Sequence, residues 1–400
     1  MKKILIAILR DAVRAVYNRV KPQVVAITGS VGKTTTRVLL AHFLRSKYDI
    51  LETRKNYNTE WGLPLSVLGM DMPKDFWEVL YLLFTLPYKI WFKTYPKMWV
   101  LEMGADRPGD IAYLTKITPP NFAIITNVEK VHLQNYSSPA ALLEEKTTLV
   151  RSLSAGGRAY LNYDHVKFDE MMRSVPQNVV LRTWGTRLGA DFQAEVLAAN
   201  WDGLKVNYLQ NNQESELYFP QFLGRVNIYP IAAALAVASD LGVNKEDIKH
   251  LALSFQPPQR RLEKVNLESG GILLDGSYNA EPSSMQGALE TLAELQGDQP
   301  AYGVIGDMRE LGKISQSEHL ALKEYIENIK WKYLFLVGPE MSALAKVLDN
   351  NKIPFSWFKD VDTLIQNELP KLKEKDIMLV KASQSIFLDR VVDFYTKSHE

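Results

Sequence analysis

The sequence predicts an α/β fold in two consecutive units, each built on a mostly parallel sheet. In the first unit, short apolar runs that indicate buried strands, "PQVVAITGS", "KMWVLEMGA" and "NFAIITNV", alternate with stretches of helical periodicity. The same alternation resumes near "GILLDGSYNA" and continues through "PAYGVIGD", "KYLFLVGP" and "DIMLVKAS". Strands that alternate with helices favour parallel pairing, because each crossover helix lets the next strand run in the same direction.

Segments that interrupt this alternation predict the domain limits. The basic, apolar segment at 1–21 predicts an amphipathic helix, and the stretch from about 190 to 220 predicts antiparallel strands. An Ala-rich helix is expected in "NIYPIAAALAVASDLGV", and the Pro-rich "QPPQRR" at 256–261 is the predicted linker. We therefore expect an N-terminal helix at 1–21, a central domain at 22–256 and a C-terminal domain at 257–400.

The composition is that of a globular protein, with 46% hydrophobic and 23% charged residues over 400 positions. A formal net charge of +1 argues against a nucleic-acid partner, because such partners select strongly basic surfaces. The chain has no cysteine, which excludes disulfides, thiolate metal sites and a cysteine nucleophile. We expect a cytoplasmic protein that is monomeric or weakly oligomeric.

The first 21 residues carry six Lys or Arg against one Asp, a local charge of +5. The apolar run Ile4–Leu9 ends at Arg10, and no small-residue cleavage site follows it, which argues against a secretory signal. Two interpretations stay open. The segment is either a helix on an anionic membrane surface, at the inner face of the membrane, or a helix packed on its own domain.

The stretch "AITGSVGKTTTR" at 26–37 predicts a phosphate-binding loop between a strand and a helix. The common pattern would require glycine at Ile27, whereas the first loop glycine is Gly29. Backbone N–H groups at a helix start face bound phosphates, a lysine reaches the terminal phosphates, and a hydroxyl binds Mg²⁺. The predicted nucleotide-binding positions are Gly29, Ser30, Gly32, Lys33, Thr34 and Thr35.

The loop form T-G-[ST]-x-G-K-T resembles that of the Mur ligase family, and the resemblance extends over almost the whole chain. It includes "TRKNYNTEWGLPLSVL" (53–68), "LEMGADRPGDIAYL" (101–114) and "ITNVEKVHL" followed by "EEK" (125–146). It continues in "GRVNIYPIAAALAVASDLG", "DGSYNAEPSSMQGAL" (275–289) and "GDMRELGKISQSEH" (306–319). The resemblance implies a P-loop central domain that binds ATP and a second, Rossmann-like C-terminal domain.

The resemblance also implies roles for individual residues. Thr34 and Glu102 would hold the Mg²⁺ of ATP, and His132 and Lys146 would hold a second Mg²⁺. Arg261 would approach the γ-phosphate. The remaining positions implied to contact the nucleotide are Asn127, Asp275, Tyr278 and Asn279. The expected cofactors are thus ATP and two Mg²⁺ ions, with Lys33, His132, Lys146 and Arg261 as the catalytic set.

Lys146 would be carbamylated by CO₂ in a member of this family. A carbamate forms only on a neutral amine, so the lysine needs a lowered pKa. From its neighbours Glu144 and Glu145, Lys146 would instead be assigned to a solvated helix face. The offset of 14 residues from His132 matches the family and favours the functional interpretation.

Several features depart from the family pattern. The loop begins after one predicted helix, so we expect the family's N-terminal uridine-nucleotide-binding domain to be absent. Family residues are replaced by Val226, Pro230, Arg260, Glu281 and Gln384. The last change removes an arginine on the acceptor side, which puts the amine substrate in doubt.

An aromatic insertion lies at about 73–97, "KDFWEVLYLLFTLPYKIWFKTYP" within it. Its longest uncharged run, Val79–Tyr88, is ten residues, too short to span a bilayer. Aromatic side chains with Lys89, Lys93 and Lys97 fit an interfacial membrane segment or a partner-docking patch. A helix folded onto the core or onto the N-terminal helix is the alternative.

The resemblance implies an ATP-dependent amide-bond ligase that works through an acyl phosphate. It would add D-alanyl-D-alanine, or a similar amine, to a cell-wall peptide precursor. One alternative is the same chemistry on a different substrate, lipid-linked or of the polyglutamate type. Another is a non-catalytic nucleotide-binding subunit. The expected partners are a small-molecule or lipid-linked peptide and an amine, with peripheral membrane contact as a further hypothesis.

Overall fold

The computed structural model describes residues 2–54, 57–129, 135–210, 213–349, 352–367 and 369–397. These residues form two sheets in sequence, each flanked by helices, which confirms the predicted α/β fold. The first sheet has nine strands and the second has six.

The first sheet is parallel at its centre and antiparallel at one end. Its strands are β1 (Gln23–Thr28), β2 (Ile50–Glu52), β3 (Met98–Glu102), β4 (Phe122–Ile125), β5 (Arg158–Asn162), β6 (Val180–Gly185), β7 (Phe192–Asn200), β8 (Gly203–Gln210) and β9 (Gln213–Phe219). They are ordered β2-β3-β1-β4-β5-β6-β7-β8-β9. Pairing is parallel from β2 to β7, and β7, β8 and β9 pair antiparallel, as the pattern of residues 190–220 predicts.

Helices cover both faces of this sheet. They are α1 (Lys2–Val20), α2 (Lys33–Leu44), α3 (Gly62–Leu68), α4 (Phe76–Trp91), α5 (Asp110–Ile117), α6 (Pro139–Arg151), α7 (Phe168–Met172), α8 (Ile228–Asp240) and α9 (Lys245–Ser254). One apolar core joins α1, α3, α4, α5 and α6 to the sheet, and the opposite core joins α2 and α8 to it. The residue alternation of each strand supplies both cores, as Val24 and Val25 of β1 illustrate.

The N-terminal helix α1 is part of the central unit. Leu9, Val13 and Val16 lie on one face and are fully buried. That face packs against α3, α4 and α5. This face of the helix is therefore packed on its own domain, and the opposite, basic face stays exposed.

The aromatic insertion forms α4. Asp75 caps its first turn by accepting a hydrogen bond from the Glu78 N–H at 2.8 Å. Leu82 and Leu86 are buried against the core, and the helix contacts α1. Among the helices that the structure describes, none combines the length and the apolar character that a bilayer-spanning segment needs.

The lysines of this segment bond to the protein itself, as the alternative of a helix folded onto the core predicts. Lys89 Nζ and Lys93 Nζ each donate to the carbonyl of Leu68, at the end of α3, at 3.1 Å. Lys97 Nζ donates to the carbonyl of Val20, the last residue of α1, at 2.7 Å. Carbonyls at a helix C-terminus lack intrahelical partners and attract cations, which explains this placement.

The second sheet carries an antiparallel edge strand on a parallel sheet. Its strands are β10 (Glu263–Asn266), β11 (Ile272–Gly276), β12 (Ala301–Gly306), β13 (Trp331–Val337), β14 (Phe355–Phe358) and β15 (Ile377–Lys381), in the order β10-β11-β15-β12-β13-β14. Only β10 pairs antiparallel within this described sheet. Its helices are α10 (Pro282–Gln296), α11 (Ser315–Glu327), α12 (Met341–Ala345), α13 (Val361–Asn367) and α14 (Asp389–Thr396).

The segment between α9 and β10 connects the two units. Within it, Arg260 and Leu262 have φ values of +61° and +63°, a left-handed conformation that non-glycine residues seldom adopt. Arg261 lies between them. The domain limits given above, 1–21, 22–256 and 257–400, stay a prediction.

Candidate active site

A tight loop joins the end of β1 to the first turn of α2. Gly29 has a φ of +149°, and a Cβ there would lie 2.0 Å from the Thr126 hydroxyl oxygen, so the position requires glycine. The Ser30 N–H donates to the Asn127 carbonyl at 2.7 Å, which holds the loop against the chain that follows β4. Gly32, with a φ of +84°, precedes the helix. The loop therefore presents the N-terminus of α2 at the carboxyl edge of the sheet, where phosphates bind.

Ile27, where the common phosphate-loop pattern has glycine, still belongs to β1. Its side chain is fully buried, and it pairs in register with Glu102 of β3 and Ile124 of β4. The chain leaves the sheet only after Thr28, so the loop starts at Gly29. The departure from the common pattern thus reflects where the strand ends.

Two lysine ammonium groups converge on the carbonyl oxygen of Gly29. Lys33 Nζ donates to Gly29 O at 2.8 Å and to Ser30 O at 2.7 Å, and Lys146 Nζ donates to Gly29 O at 2.9 Å. Lys146 is 1% exposed, so its assignment to a solvated helix face is wrong. Burial, followed by the nearby positive charge of Lys33, lowers the pKa of Lys146 to about 7. Near neutral pH a large share of this amine is therefore uncharged.

Glu102 ends β3 beside the first turn of α2. Thr34 Oγ1 donates to its Oε2 at 2.9 Å, and Asn58 Nδ2 donates to its Oε1 at 2.9 Å. Arg37 Nε lies 3.5 Å from Oε2, and the same guanidinium pairs with Glu52. These contacts hold the carboxylate and the hydroxyl side by side. Arg37 was missed by the sequence analysis, although it lies one helical turn after Lys33.

The second unit brings cations and an aromatic ring to the same place. Arg261 Nη2 donates to Thr34 Oγ1 at 3.1 Å, and its guanidinium lies 4.2 Å from the ring centre of Tyr278. Lys381 Nζ donates to the Asn279 carbonyl at 2.8 Å. Burial, and then the charge of Arg261, lowers the pKa of Lys381 to about 8. Lys381 was not among the site residues predicted from the sequence.

Asp275 lies behind the site. The residue is 2% exposed at the end of β11, and its carboxylate accepts a hydrogen bond from the Ser277 N–H at 2.9 Å. Burial raises the pKa of Asp275. The carboxylate therefore stabilises the turn that carries Tyr278 and Asn279, which themselves line the cavity described next.

A cavity of about 250 Å³ lies between the two units. The first unit contributes the loop, the first helical turn and the end of β3, and the second contributes the linker and the turn after β11. Predicted site residues on its wall are Ser30, Gly32, Lys33, Thr34, Thr35, Glu102, Arg261, Tyr278 and Asn279. Lysines, arginine, hydroxyls and backbone N–H groups around one cavity suit a polyphosphate.

Glu129 connects the two units at a second point and was missed by the sequence analysis. Its carboxylate accepts hydrogen bonds from the Ser283 hydroxyl of α10 and from Asn127 Nδ2. Its N–H donates to Ser30 Oγ at 2.9 Å. Burial raises the pKa of Glu129 to about 7. The signal in the sequence is a carboxylate four residues after a buried strand, within "ITNVEKVHL".

Two further cavities adjoin this contact. One, of about 660 Å³, lies between the units and is lined by Glu129, Leu143, Ser283 and Tyr325 among others. The other, of about 380 Å³, is lined in part by Asn127, His165, Tyr229 and Pro230. Predicted residue His132 lies outside the described residues.

Four of the five positions that depart from the family pattern lie on these walls. Val226 and Pro230 line both the 250 Å³ and the 380 Å³ cavities. Their side chains are apolar, whereas the family pattern has histidine and asparagine at these positions. Glu281 lines the first cavity and caps α10. Arg260 pairs with Asp389 at 2.9 Å, and Gln384 is exposed.

Known proteins are similar to this chain in both of the units that form the site. A model of the Mur ligase middle domain matches residues 27–238, and a model of the Mur ligase glutamate ligase domain matches residues 260–384. A protein of Bacillus subtilis strain 168 is 26% identical over 389 residues, covering 96% of this chain and 78% of its own length. One of Escherichia coli K12 is 27% identical over 379 residues, covering 94% and 77%. Both are named UDP-N-acetylmuramoyl-tripeptide–D-alanyl-D-alanine ligase.

Solved structures are similar over the same extent. The MurF ligase of Thermotoga maritima in complex with ADP superposes with a TM-score of 0.80 at 25% identity, covering 98% of this chain and 83% of that one. A MurF structure from Acinetobacter baumannii has a TM-score of 0.80 at 24% identity, covering 97% and 79%. These similarities confirm the fold that the alternation of strands and helices predicts.

Proposed function

The chain belongs to the Mur ligase family of ATP-dependent C–N ligases, and we propose that it adds D-alanyl-D-alanine to a UDP-N-acetylmuramoyl tripeptide. One observation carries the proposal. Lys33, Lys146, Thr34 and Glu102 meet at a single glycine-bearing loop, and Arg261 of the second unit reaches the same hydroxyl. A nucleotide-binding scaffold without catalysis would not need the buried Lys146 beside that loop.

In the first step, the peptide carboxylate attacks the γ-phosphorus of ATP, the bond to the bridging oxygen breaks, and ADP leaves. The transferred phosphoryl group carries negative charge that cations must stabilise. Lys33 and Arg261 lie on the wall of the cavity for this task, and the N–H groups of the loop add further donors. In the second step, the amine attacks the acyl phosphate and inorganic phosphate leaves.

The residues at the nucleotide cavity fit Mg²⁺. Mg²⁺ prefers oxygen ligands and keeps several waters, so two adjacent protein oxygens with phosphate oxygens suffice. The Thr34 hydroxyl and the Glu102 carboxylate, 2.9 Å apart, are such a pair. Thr34 and Glu102 would hold an ion whose chemistry there is the neutralisation of phosphate charge.

We assign a second ion site to His132 and a carbamylated Lys146. Carbamylation joins the neutral amine to CO₂ and releases a proton, which turns a cation into an anionic oxygen ligand. Lys146 meets the requirement, because its pKa is lowered to about 7 and its Nζ is held at the loop. The role of His132 rests on the resemblance alone.

The 660 Å³ cavity between the units is our candidate for the peptide substrate. It opens next to Glu129 and Ser283, where the two units meet, and its wall includes Leu143 and Tyr325. A cleft shared by two domains is a common place for a substrate. We propose a cytoplasmic location, where ATP is available, and small-molecule substrates rather than a macromolecular partner.

A release assay for inorganic phosphate tests this function. Full-length protein is given ATP and Mg²⁺ with the UDP-N-acetylmuramoyl tripeptide, with D-alanyl-D-alanine, with both, or with neither. We expect sustained phosphate release and an amide product only with both. Faster phosphate release with another amine or peptide would indicate that the enzyme acts on that substrate instead. Nucleotide binding without turnover on any pair would instead support a non-catalytic subunit.

A further inference from the structure

We propose that the exposed aromatic face of α4, together with the N-terminal half of α1, docks on an anionic lipid bilayer in the plane of its headgroups. This inference goes beyond the ligase function and does not depend on the identity of its substrates. The rest of the described chain leaves this apolar face uncovered, and a bilayer surface would cover it.

The face is defined by a regular spacing along α4. Trp77, Tyr81, Phe84, Tyr88 and Trp91 follow one another at intervals of four and three residues, which places them on one side of a helix. Each is between 62% and 85% exposed. We call these five residues the aromatic face. A water-soluble surface helix normally turns such a stripe towards the core, so its exposure indicates a binding surface.

The other side of α4 is fixed to the protein. Leu82 and Leu86 are 3% and 5% exposed, and Lys89 and Lys93 donate to the carbonyl of Leu68. Arg19 Nη2, at the end of α1, donates to the Lys93 carbonyl at 2.7 Å. The helix already packs one face against the core, so the aromatic face is not the side by which it joins the fold.

A second set of exposed apolar residues lies on α1, the helix that contacts α4. Ile4 and Ile8 of α1 are 66% and 38% exposed. Exposed apolar residues on two contacting helices suit a broad, flat partner better than a narrow groove for one peptide.

The chemistry of the side chains favours lipid over a second protein copy. Tyrosine and tryptophan combine an apolar ring with a polar tip and concentrate at membrane–water interfaces. The central stretch Val79–Tyr88 has no charged residue, as a segment in the acyl boundary requires. Its length excludes a span, so the helix would lie parallel to the surface.

Charge complementarity points to anionic headgroups. Lys2, Lys3 and Arg14 on α1 are exposed. Residues 2–21 contain six basic side chains and one acidic, a net of +5. Basic residues beside an apolar face attract the anionic leaflet of a membrane.

The acidic groups near the face already have partners. Asp11 pairs with Arg10 at 2.8 Å. Asp75 caps α4, and the Glu78 carboxylate accepts a hydrogen bond from the Lys74 N–H at 2.6 Å. Partnering within the protein weakens their repulsion of a negative surface.

Vesicle flotation of the full-length protein tests the proposal. Vesicles of phosphatidylglycerol and phosphatidylcholine in equal parts are compared with vesicles of phosphatidylcholine alone. The variant W77S/F84S/W91S removes apolar rings that contact no core, and L188S/L197S is its control, since Leu188 and Leu197 are exposed elsewhere. We expect the wild type and the control to float with the anionic vesicles, and the triple variant to bind at least about tenfold more weakly.

Three outcomes would overturn the proposal. The first is a wild type that stays in the soluble fraction, and the second is a triple variant that floats as well as the wild type. The third is a concentration-dependent dimer in sedimentation that the triple variant abolishes, with no binding to vesicles, because a second copy would then cover the face. Phosphate release with soluble substrates is measured in parallel. Normal release without flotation would reject the membrane contact and leave the ligase function standing.

Discussion

Thr34 donates a hydrogen bond of 2.9 Å to Glu102, although 68 residues separate the two in sequence. Thr34 belongs to the first turn of α2, and Glu102 ends β3. Because β1 and β3 are parallel neighbours, the chain places both side chains at the same edge of the sheet. Two oxygens of different chemistry are thereby held together, one a hydroxyl and the other a carboxylate.

The substitution Glu102→Gln tests the role of the negative charge in this pair. Glutamine keeps the size and an oxygen acceptor for the Thr34 hydroxyl and removes the negative charge that a divalent cation needs. We expect kcat to fall by about a hundredfold or more, the scale seen when a single electrostatic group is removed from an active site. Phosphate release at saturating ATP and varied Mg²⁺ is the measurement. The exposed Glu60→Gln serves as control, and equal activity of the two variants would remove Glu102 from the metal site.

Replacing Lys146→Ala tests the carbamate. Alanine removes both the amine and its hydrogen bond to Gly29, so we expect activity to fall by about a hundredfold or more. Added formate or acetate is expected to restore part of it, because a free carboxylate can occupy the place of the carbamate. Nucleotide affinity, followed by calorimetry, separates lost chemistry from lost binding. Full activity without any acid would contradict the role assigned to Lys146.

The pH dependence of activity follows from the lowered pKa of Lys146. The value falls from 10.5 to about 7, so the neutral, CO₂-reactive amine prevails above about pH 7 and declines below it. At limiting CO₂ we therefore expect activity to rise between about pH 6 and pH 8. Added bicarbonate should raise the rate most on the acidic side of this window. A rate that ignores bicarbonate at every pH would argue against carbamylation.

Arg261→Lys tests the contact between the two units. Lysine keeps the charge but loses the guanidinium plane that lies over Tyr278 and the donor that reaches Thr34. A hydrogen bond from a charged group contributes about 1.5–3 kcal/mol, so we expect kcat/KM to fall by about tenfold to a hundredfold. Steady-state kinetics with ATP as the varied substrate measure it. Arg225→Lys, at an exposed pair with Glu294, should behave as the wild type.

Leu9→Ala tests whether α1 belongs to the central core. Leu9 is fully buried, and truncation of a buried leucine costs about 2–5 kcal/mol of unfolding free energy. Ile4→Ala, at a position 66% exposed on the same helix, should change it by less than about 0.5 kcal/mol. Urea denaturation followed by far-UV circular dichroism measures both. Equal stabilities would indicate that α1 detaches from the domain in solution.

Local patterns were sufficient to predict the fold and the phosphate loop. The alternation of short apolar runs with helical stretches predicts a parallel sheet covered by helices. Gly29, Lys33 and Thr34 follow directly after a predicted strand, which predicts the phosphate loop. The pairing of Thr34 with Glu102 is also accessible, since both positions end or follow parallel strands. These features depend on sequence neighbours and on a single topological rule.

The sequence did not predict features that depend on which face of a helix meets the core. Lys146 lies among exposed-looking residues, and only packing reveals that it points inward to Gly29. Lys89 and Lys93 looked like membrane-facing cations and instead satisfy the carbonyl of Leu68. The Glu129 carboxylate accepts a hydrogen bond from Ser283, which lies 154 residues away in the other unit, so no local pattern could predict the contact.

The linker residues Arg260 and Leu262 hold Arg261 between two left-handed backbone conformations. Each such conformation costs a non-glycine residue on the order of 1–3 kcal/mol, and the cost persists only while the surrounding contacts maintain it. The ion pair of Arg260 with Asp389 and the contacts of Arg261 with Thr34 and Tyr278 therefore do two things at once: they join the two units, and they offset the cost of the linker's backbone conformation.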